Sequence, residues 1–98
     1  MTDADGAAGP VSGNLLIVNK RGFHARAAAR FVQCAEAFDA TITVSKDQTT
    51  VGGTSIMGLM MLAAGPGSAI HVSSEGPEAE AALAALAKLV ADRFSEEE

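Results

Sequence analysis

His24 is the residue in this sequence that is best suited to chemistry. It follows Gly22 and Phe23 at the point where an apolar, strand-like run gives way to helical spacing, so we expect its imidazole beside a helix N-terminus. The free backbone N–H groups and the dipole at such a terminus favour an anion. A neutral imidazole there could attack a phosphoryl group, and the Arg26 guanidinium could bind the product. The alternative is that His24 only caps the helix.

Positive charge is concentrated around this histidine. The 98-residue chain has a formal net charge of -5, but its five tail acids account for all of that excess, and residues 14 to 95 carry equal numbers of acids and bases. Four bases fall within one short stretch that contains no acid: Lys20, Arg21, Arg26 and Arg30. One basic spot on a neutral body favours a single phosphoryl group or an acidic protein surface. It argues against nucleic acid, whose phosphates require many cations acting together.

The segment from residue 56 to 62 is the second candidate site. Its apolar residues exceed what one helix face can bury, so we expect some of Ile56, Met57 and Met60 to be exposed as a docking surface. The alternative, that the rest of the fold covers the whole segment, stays open at this point. Ser55, which precedes the segment, is first of all expected to be its N-cap.

The other reactive side chains indicate no further site. His71 alternates out of phase with Ile70 and Val72, which predicts a ring that points to solvent from a half-buried strand. The single cysteine, Cys34, cannot form an internal disulfide, and there is no Cys/His cluster for a metal. We therefore expect neither a metal nor a cofactor.

Targeting signals are also missing from the sequence. No stretch approaches the roughly 20 consecutive apolar residues of a membrane span. The first ten residues lack the basic flank and apolar run of a secretion signal. These features predict a cytoplasmic protein that does not enter the membrane.

Hydrophobic periodicity places the candidates on seven elements. It predicts four strands: residues 14–20, residues 41–45, a short strand that ends near Val51, and residues 68–74. It also predicts three helices, which begin at Ala25, after Ser55 and after Pro77. The order β-α-β-β-α-β-α predicts an α/β fold with one sheet and helices on one face, an open sandwich. We expect residues 1–13 to be a disordered extension, 14–95 a single domain and 96–98 an acidic tail.

Two strings in the sequence, NKRGFHARAAARFV and SIMGLMML, resemble the HPr family of histidine phosphocarriers, which includes NPr. The resemblance runs from about Asn14 to Phe94. It implies an open-faced β-sandwich with a four-stranded antiparallel sheet and three helices on one face. It also implies a phosphoryl group carried on Nδ1 of His24, with Arg26 as its electrostatic partner. The sequence departs from the family pattern at Ala27, where proline is usual, and at Thr54, where lysine is common.

The same resemblance implies partners. It suggests a monomeric, stoichiometric carrier, not an enzyme, that accepts the phosphoryl group from enzyme I of the bacterial phosphotransferase system and passes it to EIIA-type acceptors. The docking surface for both would be Ile56, Met57 and Met60. Ser55 matches a regulatory serine that a dedicated kinase and phosphorylase modify in some members.

Two other functions remain as alternatives. In one, the protein signals mainly through phosphorylation of Ser55 and His24 is vestigial. In the other, the sheet is a small RNA-binding module, which requires aromatic side chains on the strands for base stacking. All four phenylalanines lie outside the predicted strands, which argues against RNA: Phe23, Phe31, Phe38 and Phe94.

Overall fold

A computed structural model describes residues 9–96. The chain forms strand β1, helix α1, strands β2 and β3, helix α2, strand β4 and helix α3, and it ends in a single 3-10 turn. The bounds are β1 Val11–Leu16, α1 Ala25–Glu36, β2 Thr41–Lys46, β3 Thr49–Gly52, α2 Ile56–Met61, β4 Ala69–Glu75, α3 Ala79–Ala91 and the turn Arg93–Ser95. The predicted order of elements is confirmed.

The four strands form one antiparallel sheet in the order β1-β4-β2-β3. Alternate side chains of the central strands are buried, among them Val44 on β2 and Ile70 and Val72 on β4. His71, between Ile70 and Val72, is exposed. This period of two is what a sheet with one covered face requires. The helices cover that face, with α3 against β1 and β4 and α1 against α3 and α2. The predicted open-faced sandwich is confirmed.

The first strand is shifted along the chain from its predicted position. It occupies Val11–Leu16 rather than residues 14–20, and it pairs from Val11 opposite Ser74 to Leu16 opposite Ala69. The apolar run of residues 15–18 predicted the wrong bounds because only alternate residues of β1 face the helices. Polar residues, Ser12 and Asn14, therefore occupy exposed positions of the strand. Residues 11–13 thus belong to the sheet and not to an extension. The rest of that predicted extension, residues 1–8, lies outside the described residues.

Three phenylalanines join the start of α1 to the end of the chain. The Phe23 ring lies 5.4 Å from that of Phe31, edge to face, and 5.4 Å from that of Phe94, stacked. All three rings are buried in the common core. Such aromatic pairs stabilise a core beyond their area burial, by about 0.5–1.5 kcal/mol each. They fix the loop before α1 against the C-terminal turn.

The C-terminal turn is left-handed. Arg93, Phe94 and Ser95 have φ values of 56°, 56° and 64°, a region that non-glycine residues seldom adopt because of steric cost. Burial of the Phe94 side chain offsets that cost. The turn reverses the chain after α3, so that Glu96 contacts His24 and Asn19. The sequence had placed Glu96 in an acidic tail, residues 96–98. Residues 97 and 98 of the predicted tail lie outside the described residues.

Within residues 9–96, no helix has the length and apolarity needed to cross a bilayer.

Candidate functional site

The loop that precedes α1 is held in one conformation by hydrogen bonds from the Asn19 side chain and from backbone groups. The buried Asn19 side chain donates from Nδ2 to the carbonyl oxygen of Gly22 at 2.8 Å, and the Gly22 N–H donates to the Asn19 carbonyl at 3.2 Å. Gly22 has a φ of +68°, and a Cβ at this position would meet the Ala64 carbonyl oxygen at 2.6 Å. That same carbonyl accepts the Phe23 N–H at 2.9 Å. The loop therefore requires glycine at position 22, and its hydrogen bonds fix the start of α1.

His24, which follows Phe23, is the N-cap of α1. Its backbone is extended, and its carbonyl oxygen accepts the Ala28 N–H at 2.8 Å to begin the helix. The ring nitrogen Nδ1 accepts the Arg26 N–H at 3.3 Å. The predicted location at a helix N-terminus is confirmed. The side chain is 17% exposed, so solvent and partner molecules can reach it.

A carboxylate occupies the other side of the same ring. One oxygen of Glu96 makes a hydrogen bond with Nε2 of His24, and the other accepts from Nδ2 of Asn19 at 3.2 Å. The Glu96 side chain is 12% exposed. Sequence reasoning found neither Glu96 nor Asn19. A polar residue before a glycine turn could have indicated Asn19, but nothing in the sequence indicates the left-handed turn that brings Glu96 back.

The four clustered bases have different roles. Arg26 is exposed in the first turn of α1, and its backbone N–H donates to the ring of His24. Arg30, one turn further, donates to the backbone carbonyl of Phe94 and so holds the C-terminal turn. Lys20 and Arg21 are exposed in the loop. The basic spot predicted from the sequence thus contains three exposed cations and one, Arg30, that serves the fold.

Helix α2 presents the second candidate surface. Ser55 caps it, with Oγ accepting the Gly58 N–H at 3.0 Å. Leu59 and Leu62 are buried, but four apolar side chains of this helix are exposed: Ile56 at 40%, Met57 at 72%, Met60 at 40% and Met61 at 73%. The expected exposure is confirmed, and it extends to Met61. Helices α1 and α2 contact each other, so this apolar surface lies on the same side of the molecule as α1.

The comparisons with known proteins agree with this geometry. The family model for the PTS HPr component phosphorylation site matches residues 11–92. The chain belongs to the HPr family. The phosphocarrier protein HPr of Cupriavidus necator is 45% identical over 84% of this chain and 92% of its own length. An HPr crystal structure from Thermoanaerobacter tengcongensis superposes with a TM-score of 0.85 at 42% identity, covering 90% of this chain and 99% of that one. For an HPr from Bacillus anthracis the TM-score is 0.79 at 48% identity.

Membership of the HPr family establishes the class of function. The protein is a phosphocarrier of the phosphotransferase system, and it carries the phosphoryl group rather than catalysing a reaction. The HPr match begins at Val11, the first residue of β1, which agrees with the corrected strand position.

The remaining reactive side chains of this HPr protein lie apart from the candidate site. His71 is exposed on β4, where its Nδ1 makes a 2.9 Å hydrogen bond with Oδ1 of Asn14 on β1. Cys34 is half-buried in α1, and burial raises the pKa of its thiol, which disfavours the reactive thiolate. Within residues 9–96 no three His, Cys, Asp or Glu side chains are arranged to hold a metal ion.

Proposed function

We propose that His24 accepts the phosphoryl group on Nδ1 and that Arg26 is its electrostatic partner. The observation that carries the proposal is the position of the ring at the cap of α1, where Nδ1 faces the first-turn N–H of Arg26. The chain belongs to a phosphocarrier family and has only two histidines. The other, His71, is exposed on β4, where it pairs opposite Asn14 of β1 and Ser45 of β2.

The environment of Nδ1 suits both states of a carrier. Before transfer, Nδ1 offers a lone pair that accepts only the long hydrogen bond from Arg26. After transfer, the phosphoryl oxygens lie at the positive end of α1, whose backbone N–H groups and dipole favour an anion. The exposed Arg26 guanidinium can add charge-assisted hydrogen bonds. One arrangement thus serves nucleophile and product.

We further propose that enzyme I donates the phosphoryl group, that EIIA-type proteins receive it, and that both dock on Ile56, Met57 and Met60. These side chains are exposed, adaptable and on a helix that contacts α1. A basic spot beside an apolar surface suits partners that are acidic around an apolar centre. The carrier would act in the cytoplasm as a monomer and without a cofactor.

A second candidate function concerns Ser55. Its hydroxyl caps α2, is exposed and directly precedes the apolar surface. A phosphate there would add roughly -1.5 to -2 charges beside Ile56 and would weaken encounters with acidic partners. A kinase and phosphorylase acting on Ser55 would regulate docking, and in the extreme case this signal would be the main function. Thr54 supplies no cation to pair with that phosphate, in contrast to the lysine common in the family.

Two labelling reactions, one with enzyme I and one with a kinase, test the two functions. The full chain is incubated with enzyme I, magnesium and radiolabelled phosphoenolpyruvate, with an HPr of known activity in parallel. We expect one acid-labile phosphoryl group per chain, mapped to His24 by NMR of the ring nitrogens. An unlabelled chain beside a labelled control, or label on His71, would contradict the proposal. An acid-stable phosphoserine after incubation with an HPr kinase and ATP, without any phosphohistidine, would favour the Ser55 alternative.

A further inference from the structure

The ring of His24 has a different kind of partner on each nitrogen. On one side is the backbone N–H of Arg26, which can only donate a hydrogen bond to Nδ1. On the other side is the carboxylate of Glu96, which in its ionised form can only accept one from Nε2. Both contacts are satisfied together only if Nε2 carries the proton and Nδ1 the lone pair. The two partners therefore select one form of the neutral imidazole.

Three contacts hold the Glu96 carboxylate and the chain that leads to it. Its second oxygen accepts from Asn19, whose side chain is buried and tied to Gly22 in the loop before His24. The chain leading to it is anchored by the buried Phe94 ring, which stacks on Phe23. Arg30 from α1 donates to the Phe94 carbonyl. A terminal residue without such anchors would lose its contact to thermal motion.

We propose that Glu96 is a positioning residue for phosphoryl transfer, which keeps the proton on Nε2 of His24 in both the free and the phosphorylated protein. The inference rests on the proposed role of His24. Glu96 does not touch the phosphoryl group; it acts through the far nitrogen of the ring. Glu96 directly follows the left-handed turn Arg93–Ser95, which brings its side chain back to the ring.

The transfer step then needs no proton movement. In charging, the Nδ1 lone pair forms the N–P bond as the phosphorylated donor protein's bond to phosphorus breaks, and that electron pair stays with the donor. The Nε2 proton remains, so the ring becomes a cation that the Glu96 carboxylate pairs with. In discharging, a nucleophile of the acceptor protein forms the new bond to phosphorus as the N–P bond breaks, the N–P electron pair returns to Nδ1, and the ring leaves as neutral imidazole. A ring that had lost its Nε2 proton would have to leave as the anion, a far poorer leaving group.

The test uses the full chain with Glu96→Leu, Glu96→Gln and, as a charge-matched control, Glu80→Gln, an exposed glutamate on α3. The first readout is the Nε2–H proton of His24 in the unphosphorylated protein, followed by NMR. We expect a resonance shielded from solvent exchange in the wild type and in Glu80→Gln. It should be lost in Glu96→Leu and weakened in Glu96→Gln, where the amide oxygen can still accept.

The second readout is the rate of phosphoryl transfer in each direction, to His24 from the donor and from His24 to an acceptor. We expect Glu96→Leu to slow both about tenfold, the size of one partly exposed charge-assisted hydrogen bond. Glu96→Gln should fall between Glu96→Leu and the wild type, and Glu80→Gln should match the wild type. Arg30→Ala, which frees the turn without touching Glu96, should reproduce part of the loss.

The outcomes separate this inference from the proposed function. A wild type that is never phosphorylated on His24 contradicts the proposed function, and the NMR readout can still be interpreted. An Nε2–H resonance equally shielded in Glu96→Leu contradicts the contact. A lost resonance with both transfer rates unchanged leaves the contact in place but overturns its role in transfer.

Discussion

Helices α1 and α2 begin with the same device and end up with different chemistry. Each starts from an extended residue whose side chain accepts a hydrogen bond from a first-turn N–H: His24 from Arg26 in α1, and Ser55 from Gly58 in α2. Neither first turn contains an acid. The difference lies around the caps. His24 has a carboxylate on its second nitrogen and a cation two residues on, whereas apolar side chains follow Ser55.

A helix N-terminus alone does not make a phosphoryl site. Both termini can accommodate an anion. Only the first places an imidazole nitrogen at that terminus, whereas the second has a serine hydroxyl, which requires a base to become nucleophilic. Within residues 9–96, no hydrogen bond joins Ser55 to a carboxylate or an imidazole. Under the proposed function, the chemistry belongs to the start of α1 and the recognition of partners to α2.

Replacing the two caps in turn gives the largest expected effect. We expect His24→Ala to abolish labelling by enzyme I and phosphoenolpyruvate, because no other nucleophile lies at this terminus. Ser55→Ala should remain fully labelled and lose only the cap, about 1 kcal/mol of unfolding free energy. Radiolabel incorporation and urea unfolding of both variants measure these changes.

The interpretation of the two caps depends on that contrast. Stable label on folded His24→Ala would show that another residue receives the phosphoryl group. Loss of label in folded Ser55→Ala would show that α2 contributes to the chemistry and not only to docking.

A charge placed on the apolar surface tests the role of α2. Met57 is 72% exposed, so we expect Met57→Glu to leave stability nearly unchanged but to raise the KM for enzyme I about tenfold, as for one interface residue of moderate importance. Leu16, 54% exposed on β1, provides the matched control, and Leu16→Glu should leave the KM unchanged. Steady-state phosphorylation at varied carrier concentration measures both. Equal effects of the two variants would mean that α2 is not the docking surface.

Removing the cation beside His24 should have a smaller effect. We expect Arg26→Ala to slow phosphoryl transfer about fivefold, because an exposed charge-assisted contact contributes roughly 1 kcal/mol. Its stability should stay within about 0.5 kcal/mol of the wild type, as for most surface substitutions. Arg21→Ala removes an equal charge from the exposed loop and is the control. If Arg21→Ala slowed transfer as much, the effect would come from the overall field and not from Arg26.

What the sequence predicts well is whatever a local pattern determines. The alternation of Ile42 and Val44 predicts β2, and the change of period at His24 predicts the start of α1. The motif around His24 and Ser55 also predicts the family. These features depend on neighbours a few residues apart, which the sequence places side by side.

What the sequence leaves out depends on contacts between distant segments. The register of β1 is determined by its pairing with β4, about sixty residues further on, and not by its apolar run. Glu96 reaches His24 only through three left-handed residues whose cost is offset by the burial of Phe94. Arg30 is one of the four clustered bases in the sequence, but its bond to the Phe94 carbonyl holds the C-terminal turn. The helix face of the site was therefore predictable and its carboxylate was not.

The third residue of each helix provides the smallest and most specific test. Ala27 in α1 precedes Ala28, the residue whose N–H begins the helical bonding, and His24 caps through Arg26, so proline at 27 removes no hydrogen bond. We expect Ala27→Pro to stabilise the protein by about 0.5 kcal/mol, because it restricts the unfolded chain.

The equivalent change in α2 should have the opposite sign. The N–H of Gly58 is the one that Ser55 caps, and a Cβ there would lie 3.0 Å from both Ser55 Oγ and the Val51 side chain. We expect Gly58→Pro to destabilise the protein by about 1 kcal/mol or more, from the lost cap alone. Thermal unfolding of the two variants measures both signs. A destabilised Ala27→Pro would mean that the packing around the buried Ala27 excludes the ring, and that alanine is required there where the family usually has proline.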